Sequence, residues 1–352
     1  MYLEASKLQN SPLLPSLSDR YFKECCTSYP LITCCTAVTE AFAGCRRTAI
    51  ISEQGLRSNC IFKVIFVPDP KKLQVDIQNF IRLALEEDIR DGDHSTLSSI
   101  PASETGKAVL KVKENGIIAG LDVAKAVFEY LNPDTAITFY KKDGDAVVSG
   151  DQAFLMETDV HTILMGERLA LNIMQRMSGV ASLTRQYVDK IQGFNCTVLD
   201  TRKTTPLFRQ FEKAAVRTGG GANHRFGLYD MIMLKDNHID YCGGITQAIM
   251  KAREYLQQRQ LSIGIEVETR NIREVEEALA AGGIQRIMFD NFTPEDMYAA
   301  VDLVDNLYET EASGGITLDN IAAYAATGVQ FISVGALTHH YVSMDLSLKA
   351  VK

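Results

Sequence analysis

The spacing of apolar residues changes once along the chain, near Lys71. Residues 1–70 show no sustained helical or strand period, and prolines interrupt what periodicity there is. We therefore expect a poorly ordered extension without a role, a partner-binding arm being the alternative. Residues 73–87 then carry apolar side chains at helical spacing, and residues 121–131 predict an amphipathic helix.

Short strands are predicted around the second of these helices. Residues 107–119 read as strands, and residues 135–160 are strand-like with turn signals between the runs. Residues 162–177 then predict a further helix, which carries Arg168 as an isolated cation beside its apolar face. Strands and helices that are mixed in this way favour an α+β domain.

The second half of the chain alternates short apolar runs with amphipathic helices. The six runs read as buried strands, and they end at Asp200, Lys235, Glu268, Asp290, Ala312 and Gly335. Helical periodicity fills the longer intervals between them. This alternation is typical of a parallel α/β barrel, and because six strands fall short of the usual eight, we expect an incomplete barrel.

Cationic side chains gather where the first two of these strands end. Arg202 and Lys203 follow one strand, Lys235 follows the next, and a triple glycine between them precedes His224 and Arg225. Since the C-terminal strand ends of a barrel share one mouth, these groups would meet there. Arginine suits bidentate recognition of carboxylate or phosphate, and lysine supplies a point charge. We predict a site for a highly charged anion, the alternatives being a solvated basic face and a Schiff-base role for Lys235.

Acidic residues end the next two strands. Glu268 and Asp290 are suited to magnesium or to the hydroxyl groups of a sugar, with a structural ion pair as the alternative. Glu266 lies two residues before Glu268 and so on the same side of the strand. The sequence therefore leaves open which of the two glutamates is the functional one.

The last two strands lead into glycine-bearing turns before helices. Late strands of such barrels often bind phosphate through backbone N–H groups. The candidates for this role are Ser313, Gly314, Gly315 and Gly335, with His339 just beyond as a cap.

Composition narrows the class of protein. The chain of 352 residues is 46% apolar and 23% charged, which is ordinary for a globular protein. Its net charge of -8 argues against a general nucleic-acid binder, and no apolar run is long enough to predict a membrane span. Six of the eight cysteines lie in the first sixty residues without zinc-site spacing, so we expect reduced thiols in a cytoplasmic protein.

Several long motifs together resemble one known family, quinolinate phosphoribosyltransferase. They are ERLALNIMQRMSGVAS (167–182), LDTRKTTP (199–206), GGGANHRFGLYDMIMLKDNH (219–238), EVE (266–268), FDNF (289–292), EASGGI (311–316) and SVGALTH (333–339). The resemblance covers the chain from about residue 73 to its end, and residues 1–70 have no counterpart in it.

The resemblance implies an N-terminal α/β sandwich over 71–166, with 341–352 packing back on it, and an incomplete α/β barrel over 167–340. It implies a homodimer with shared active sites, assembled in some members into hexamers. The implied reaction joins quinolinate and phosphoribosyl pyrophosphate, with Mg²⁺ as cofactor. The products are nicotinate mononucleotide, pyrophosphate and carbon dioxide, in de novo NAD synthesis.

The resemblance also implies a role for each candidate. The quinolinate carboxylates would be held by Arg202, His224, Arg225 and Lys235, and by Arg168 from the partner subunit. The catalytic residues would be Lys203, Lys235, Glu268 and Asp290. Glu268 and Asp290 would also bind the metal ion. The 5'-phosphate would lie on Ser313, Gly314, Gly315, Gly335 and His339.

One departure from the family pattern concerns Leu207, which stands where the family usually has glycine after Thr-Thr-Pro. Three other functions stay open at this point. They are a related enzyme that takes another pyridine or a molybdenum-linked ligand, an aldolase-type barrel that uses Lys235, and a non-catalytic phosphate-binding module.

Overall fold

The computed structural model describes residues 70–351 and two short strands before them, β1 (Ala49–Ile50) and β2 (Ile65–Phe66), which pair antiparallel. By its contacts the chain divides into two units, Met1–Ile77 and Gln78–Lys352. The predicted poor order of residues 1–70 concerns positions almost wholly outside the described residues. The thiols of Cys25, Cys26, Cys34, Cys35, Cys45 and Cys60 also lie outside them.

An antiparallel sheet forms the first part of the larger unit. Its strands lie in the order β14 (Leu346–Val351), β3 (Thr105–Val112), β7 (Gln152–Asp159) and β5 (Ala136–Phe139). The last strand of the chain thus returns to pair with β3. A second small sheet joins β4 (Gly116–Ile117) to β6 (Ala146–Val147), and the accompanying helices are α1 (Pro70–Ile89), α2 (His94–Ser99) and α3 (Leu121–Leu131).

One long helix, α4 (Val160–Lys190), connects the antiparallel sheet with the rest of the unit. Asp159 caps its start by accepting a hydrogen bond from the Thr162 N–H at 2.7 Å. Further along, the hydroxyl oxygens of Ser178 and Ser182 accept from the backbone N–H groups of Ala119 and Ile117. The helix was predicted only to residue 177, and its greater length brings both sheets onto one element.

The parallel sheet has six strands in the order β8 (Thr197–Leu199), β13 (Phe331–Ser333), β12 (Glu309–Ser313), β11 (Arg286–Asp290), β10 (Gly264–Thr269) and β9 (Met231–Leu234). Neighbouring strands are parallel throughout. No hydrogen bonds join β8 to β9 among these described strands, so the sheet stays open. The predicted incomplete six-stranded barrel is confirmed.

Helices connect these parallel strands as the periodicity predicts, with some additions. The connections are α5 (Arg209–Thr218), α6 (Asp236–Cys242), α7 (Ile245–Arg259), α8 (Ile272–Ala281), α9 (Pro294–Val304) and α10 (Ile321–Ala325), and α11 (Ala336–His339) follows the last parallel strand, β13. Helix α5 and the short helices α2, α6 and α11 were not predicted, because brief segments give no reliable 3.6-residue period. None of the helices within residues 70–351 has the length and hydropathy of a membrane span.

Candidate active site

The carboxyl ends of β9, β10 and β11 bring a lysine and two acids together. Lys235 Nζ donates to Glu268 Oε2 at 2.6 Å, and the Glu268 side chain is almost wholly buried. Burial raises the pKa of Asp290, and the nearby Glu268 carboxylate raises it further, whereas Lys235 opposes both effects. The three side chains therefore interact at one edge of the sheet. A Schiff-base lysine needs a neutral amine, so the ion pair of Lys235 does not favour the aldolase-type alternative.

Glu266 and Glu268 have different surroundings, although they share one side of β10. Glu266 is fully buried, and its Oε2 lies 3.0 Å from Nε2 of His224. Glu268 lies with Lys235 at the strand end. Of the two glutamates, Glu268 is therefore the one placed beside Asp290.

Glu268 and Asp290 also fit the donor chemistry of magnesium. Hard carboxylate oxygens suit this ion, which usually keeps several waters and needs an accessible site. A second group, His224, Glu266 and Glu311, brings possible ligand atoms within 4.8 Å of one another. All three are buried and one donor is an imidazole, which makes this second group the poorer match for magnesium.

Two arginines lie on backbone segments that meet at the end of the first strand, where the N–H of Asp200 donates to the carbonyl of Ala222 at 3.2 Å. Burial lowers the pKa of Arg225, and the charge of Arg202 lowers it further. Arg202 Nε is buried and has no hydrogen-bond partner among the described residues, while Arg225 donates from Nη1 to the carbonyl of Met231 at 3.1 Å. Two like charges held together with an unpartnered donor favour an anion between them.

His224 differs from its predicted surroundings because both ring nitrogens face protein atoms. The N–H of Arg225 donates to Nδ1 at 2.6 Å, and Nε2 lies 3.0 and 3.3 Å from the carboxylates of Glu266 and Glu311. Burial lowers the pKa of the ring, but these two acids outweigh burial and raise it. Nδ1 can accept the Arg225 N–H only while it carries no proton, so the neutral ring carries its proton on Nε2, towards the acids. Direct binding of a substrate carboxylate by His224 stays a prediction.

The ends of β12 and β13 carry the predicted phosphate-binding residues. Gly315 has a φ of 63° and open space where a side chain would point. Gly335 is crowded instead, since a Cβ there would lie 3.0 Å from His339 Nε2 and 3.1 Å from Lys203 Cδ. Ser313 is the register partner of Asp290. Lys203, Gly335 and His339 are thus brought together, next to the strand end that carries Ser313.

Arg168 does not join these residues within the chain. It is exposed on α4, and no described residue forms an ion pair or a side-chain hydrogen bond with it. A contribution to the site of a second subunit stays a prediction.

Two buried charge networks were missed by the sequence analysis. Arg176 of α4 donates from Nη2 to Glu212 Oε1 at 2.6 Å, and Glu212 Oε2 accepts from the N–H of Thr205 at 3.0 Å. Lys213 pairs with Asp200, and both are buried. Charged residues on a short helix ordinarily read as a solvated face, so only the partners reveal these roles.

Leu207 occupies a strained backbone position. Its φ is 63° and its side chain is 87% exposed. A non-glycine residue in this region costs roughly 1–2 kcal/mol. The side chain offsets little of that cost, because most of it contacts solvent.

Replacing Leu207 by glycine is therefore expected to leave the free energy of unfolding unchanged or to raise it by up to about 1 kcal/mol. The relieved strain offsets the larger entropy of an unfolded glycine. Leu228 is the matched control, since it is 70% exposed and has a negative φ. Leu228→Gly should lower stability by roughly 0.5–1 kcal/mol in urea titrations. Equal losses in the two variants would contradict the strain at Leu207.

Family models and curated relatives both match this chain to one family. The family models "Quinolinate phosphoribosyl transferase, N-terminal domain" and "C-terminal domain" match residues 93–178 and 180–349. A quinolinate phosphoribosyltransferase [decarboxylating] of Nicotiana tabacum is 41% identical over 298 residues, which cover 80% of this chain and 85% of the relative. A probable nicotinate-nucleotide pyrophosphorylase [carboxylating] of Bacillus subtilis is 44% identical, covering 74% of this chain and 89% of that protein.

Solved structures agree with these relatives. The crystal structure of NadC from Streptococcus pyogenes matches with a TM-score of 0.75 and 38% identity, covering 81% of this chain and all of that chain. The mixed α/β fold and the predicted class of enzyme are both confirmed. The chain belongs to the quinolinate phosphoribosyltransferase family.

Proposed function

We propose that this chain transfers the phosphoribosyl group of phosphoribosyl pyrophosphate to the ring nitrogen of quinolinate, with loss of one carboxylate. The products are nicotinate mononucleotide, pyrophosphate and carbon dioxide. The observation that carries the proposal is the Arg202–Arg225 pair with its buried, unpartnered Nε. A pyridine with two adjacent carboxylates supplies the two negative charges that this pair lacks.

The dicarboxylate would bind with one guanidinium to each carboxylate. The chain holds these arginines on different elements, Arg202 after β8 and Arg225 after the glycine loop, so their separation is fixed by the fold. Lys235 adds a cation at the end of β9, the strand to which Arg225 donates through the carbonyl of Met231. A pyridine with one carboxylate would leave part of this charge unpaired, which is why nicotinate should be a poor substrate.

The second substrate would lie across the remaining strand ends. Lys203 and Lys235 would hold the pyrophosphate, and Ser313, Gly314, Gly315, Gly335 and His339 would hold the 5'-phosphate. Glu268 and Asp290 would lie near the ribose and bind magnesium. When bound, magnesium would neutralise the charge of the leaving pyrophosphate.

The proposed mechanism is largely electrostatic. The pyridine nitrogen attacks C1 of the ribose while the bond from C1 to pyrophosphate breaks, and positive charge develops on the sugar. Glu268 and Asp290 stabilise that charge. Loss of carbon dioxide leaves the electron pair of the broken bond on the ring carbon, where the adjacent positively charged nitrogen stabilises it, and that carbon then takes up a proton. Holding the two polyanionic substrates together removes a large part of the activation barrier. The reaction requires no side-chain nucleophile.

The proposal extends to assembly and location. A homodimer in which Arg168 reaches the neighbouring site would explain why this exposed cation has no described partner in its own chain; hexamers of such dimers stay open. We also propose a division into a sandwich domain (71–166, with 341–352) and a barrel domain (167–340), and a cytoplasmic location, although a relative in Arabidopsis thaliana carries the word chloroplastic in its name.

The test uses purified protein with phosphoribosyl pyrophosphate, magnesium and either quinolinate or nicotinate. We expect nicotinate mononucleotide from quinolinate and none above background from nicotinate, measured by chromatography. Release of labelled carbon dioxide from quinolinate should match the nucleotide formed. Product from nicotinate alone would overturn the dicarboxylate assignment of Arg202 and Arg225.

A further inference from the structure

The loop Asn223–Arg225 is held to the end of β8 by a buried ion pair. Asp200 and Lys213 are 0% and 1% exposed, and the Lys213 ammonium donates to Asp200 Oδ1. Neither residue belongs to the predicted machinery. An ion pair buried this deeply costs desolvation energy and is weak evidence for stability alone.

The contacts of this pair all lead to the loop. Asp200 Oδ1 also accepts the N–H of His224 at 2.9 Å, and its other oxygen accepts from the Asn223 amide. Lys213 Nζ donates to the carbonyl of His224 at 3.0 Å, and the Lys213 carbonyl accepts from Asn223 at 2.9 Å. Both backbone polar groups of His224 are therefore held by the two charges.

His224, whose backbone is held by the ion pair, directly precedes Arg225, the residue with a proposed function. The N–H of Arg225 donates to the ring of His224, so the start of Arg225 is tied to the clamped residue. Arg202 lies two residues after Asp200, and the N–H of Asp200 donates to the carbonyl of Ala222 at 3.2 Å, so the clamped loop runs beside the strand end that carries Arg202. Left free, two like charges would separate. The clamp opposes that separation.

We propose that Lys213, together with Asp200, is a positioning residue that holds the His224–Arg225 backbone and thereby keeps Arg225 beside Arg202 for the substrate dicarboxylate. The inference rests on the proposed function for its substrate. The clamp itself, however, is a property of the free protein and can be measured without turnover. It adds a residue that contacts neither substrate yet determines the affinity for one of them.

The experiment compares two variants with one control. Lys213→Met removes the ammonium but leaves Asp200 as a lone buried charge, which can prevent folding. Asp200→Leu/Lys213→Met removes both charges, and with them the acceptor of the His224 N–H, while it replaces the buried pair by apolar side chains of similar volume. Lys141→Met is the control, because Lys141 also forms a partly buried pair, with Asp151 at 2.8 Å, away from these residues.

Hydrogen exchange on the free protein gives the first measurement. In the double variant we expect the amides of His224 and Arg225 to exchange at least about tenfold faster than in wild type. The control variant should leave them unchanged. Unchanged protection of these two amides in the folded double variant would overturn the clamp, whatever substrate the wild-type protein uses.

Steady-state kinetics with quinolinate, phosphoribosyl pyrophosphate and magnesium give the second measurement. We expect the KM for quinolinate to rise by about tenfold or more, and the KM for phosphoribosyl pyrophosphate to stay within about twofold. A purely structural role would lower the amount of folded enzyme without changing either KM. Unchanged KM values, or equal rises in both, would overturn the positioning role. A wild-type protein inactive on quinolinate would instead overturn the proposed function.

Discussion

Replacing Arg225 by alanine is expected to raise the KM for quinolinate by about a hundredfold while the KM for phosphoribosyl pyrophosphate stays within about threefold. Losing one partner of a buried charge-assisted contact costs roughly 2–5 kcal/mol. The effect should be selective, because the Arg225 guanidinium donates to the carbonyl of Met231 in β9, whereas the Lys203 side chain lies near Gly335, which follows β13.

The measurement is a matrix of initial rates with both substrates varied, on protein whose thermal unfolding matches wild type. Arg273 is the matched control, since it is an exposed arginine on α8. Arg273→Ala should leave both KM values unchanged. Equal rises of the two KM values in Arg225→Ala would place the residue in a general anion site and remove its assignment to the dicarboxylate.

The strand ends were predictable because strands of a parallel sheet often read as unbroken apolar runs. Met231–Leu234 is such a run, and the charge that ends it, Lys235, lies where the sequence placed it. The same reasoning located Asp290 at the end of β11. The positions of these residues can be predicted from local sequence alone. The topology of a barrel then brings together the strand ends that carry them.

Other features depend on partners distant in the chain. Glu266 and Glu268 have the same local pattern, and only the contacts with His224 and Lys235 separate their roles. Lys213 lies in a segment for which the sequence predicted no element, and its partner Asp200 lies thirteen residues earlier, across a loop. Burial of a charge is a tertiary property, so no period in the sequence reveals it.

The backbone of Leu207 shows a third limit. A leucine after Thr-Thr-Pro gives no sequence signal for a positive φ, because leucine rarely adopts that conformation. Its φ of 63° occurs in the turn that leads into α5, next to Phe208, whose ring packs against Phe211 with centroids 4.8 Å apart. The leucine that replaces the family's glycine therefore marks a strained backbone position. It does not indicate a new contact.

Mixing inactive Arg168→Ala chains with inactive Arg202→Ala chains is expected to restore about a quarter of wild-type activity. If each site combines Arg202 of one chain with Arg168 of the other, a hybrid dimer contains one intact site and one that lacks both arginines. Random exchange makes half of the dimers hybrid, each with one working site of two. Activity should appear at the rate of subunit exchange, which mass spectrometry of differently tagged chains can follow.

A second mixture controls for this result, because Arg202 and Arg225 interact within one chain. In hybrids of Arg202→Ala with Arg225→Ala, every site lacks one of the two arginines, so exchange should restore nothing. Recovery in the first mixture alone would require that Arg168 acts across a subunit boundary. Recovery in neither, with exchange demonstrated, would mean that Arg168 acts within its own chain, and it would contradict the shared site.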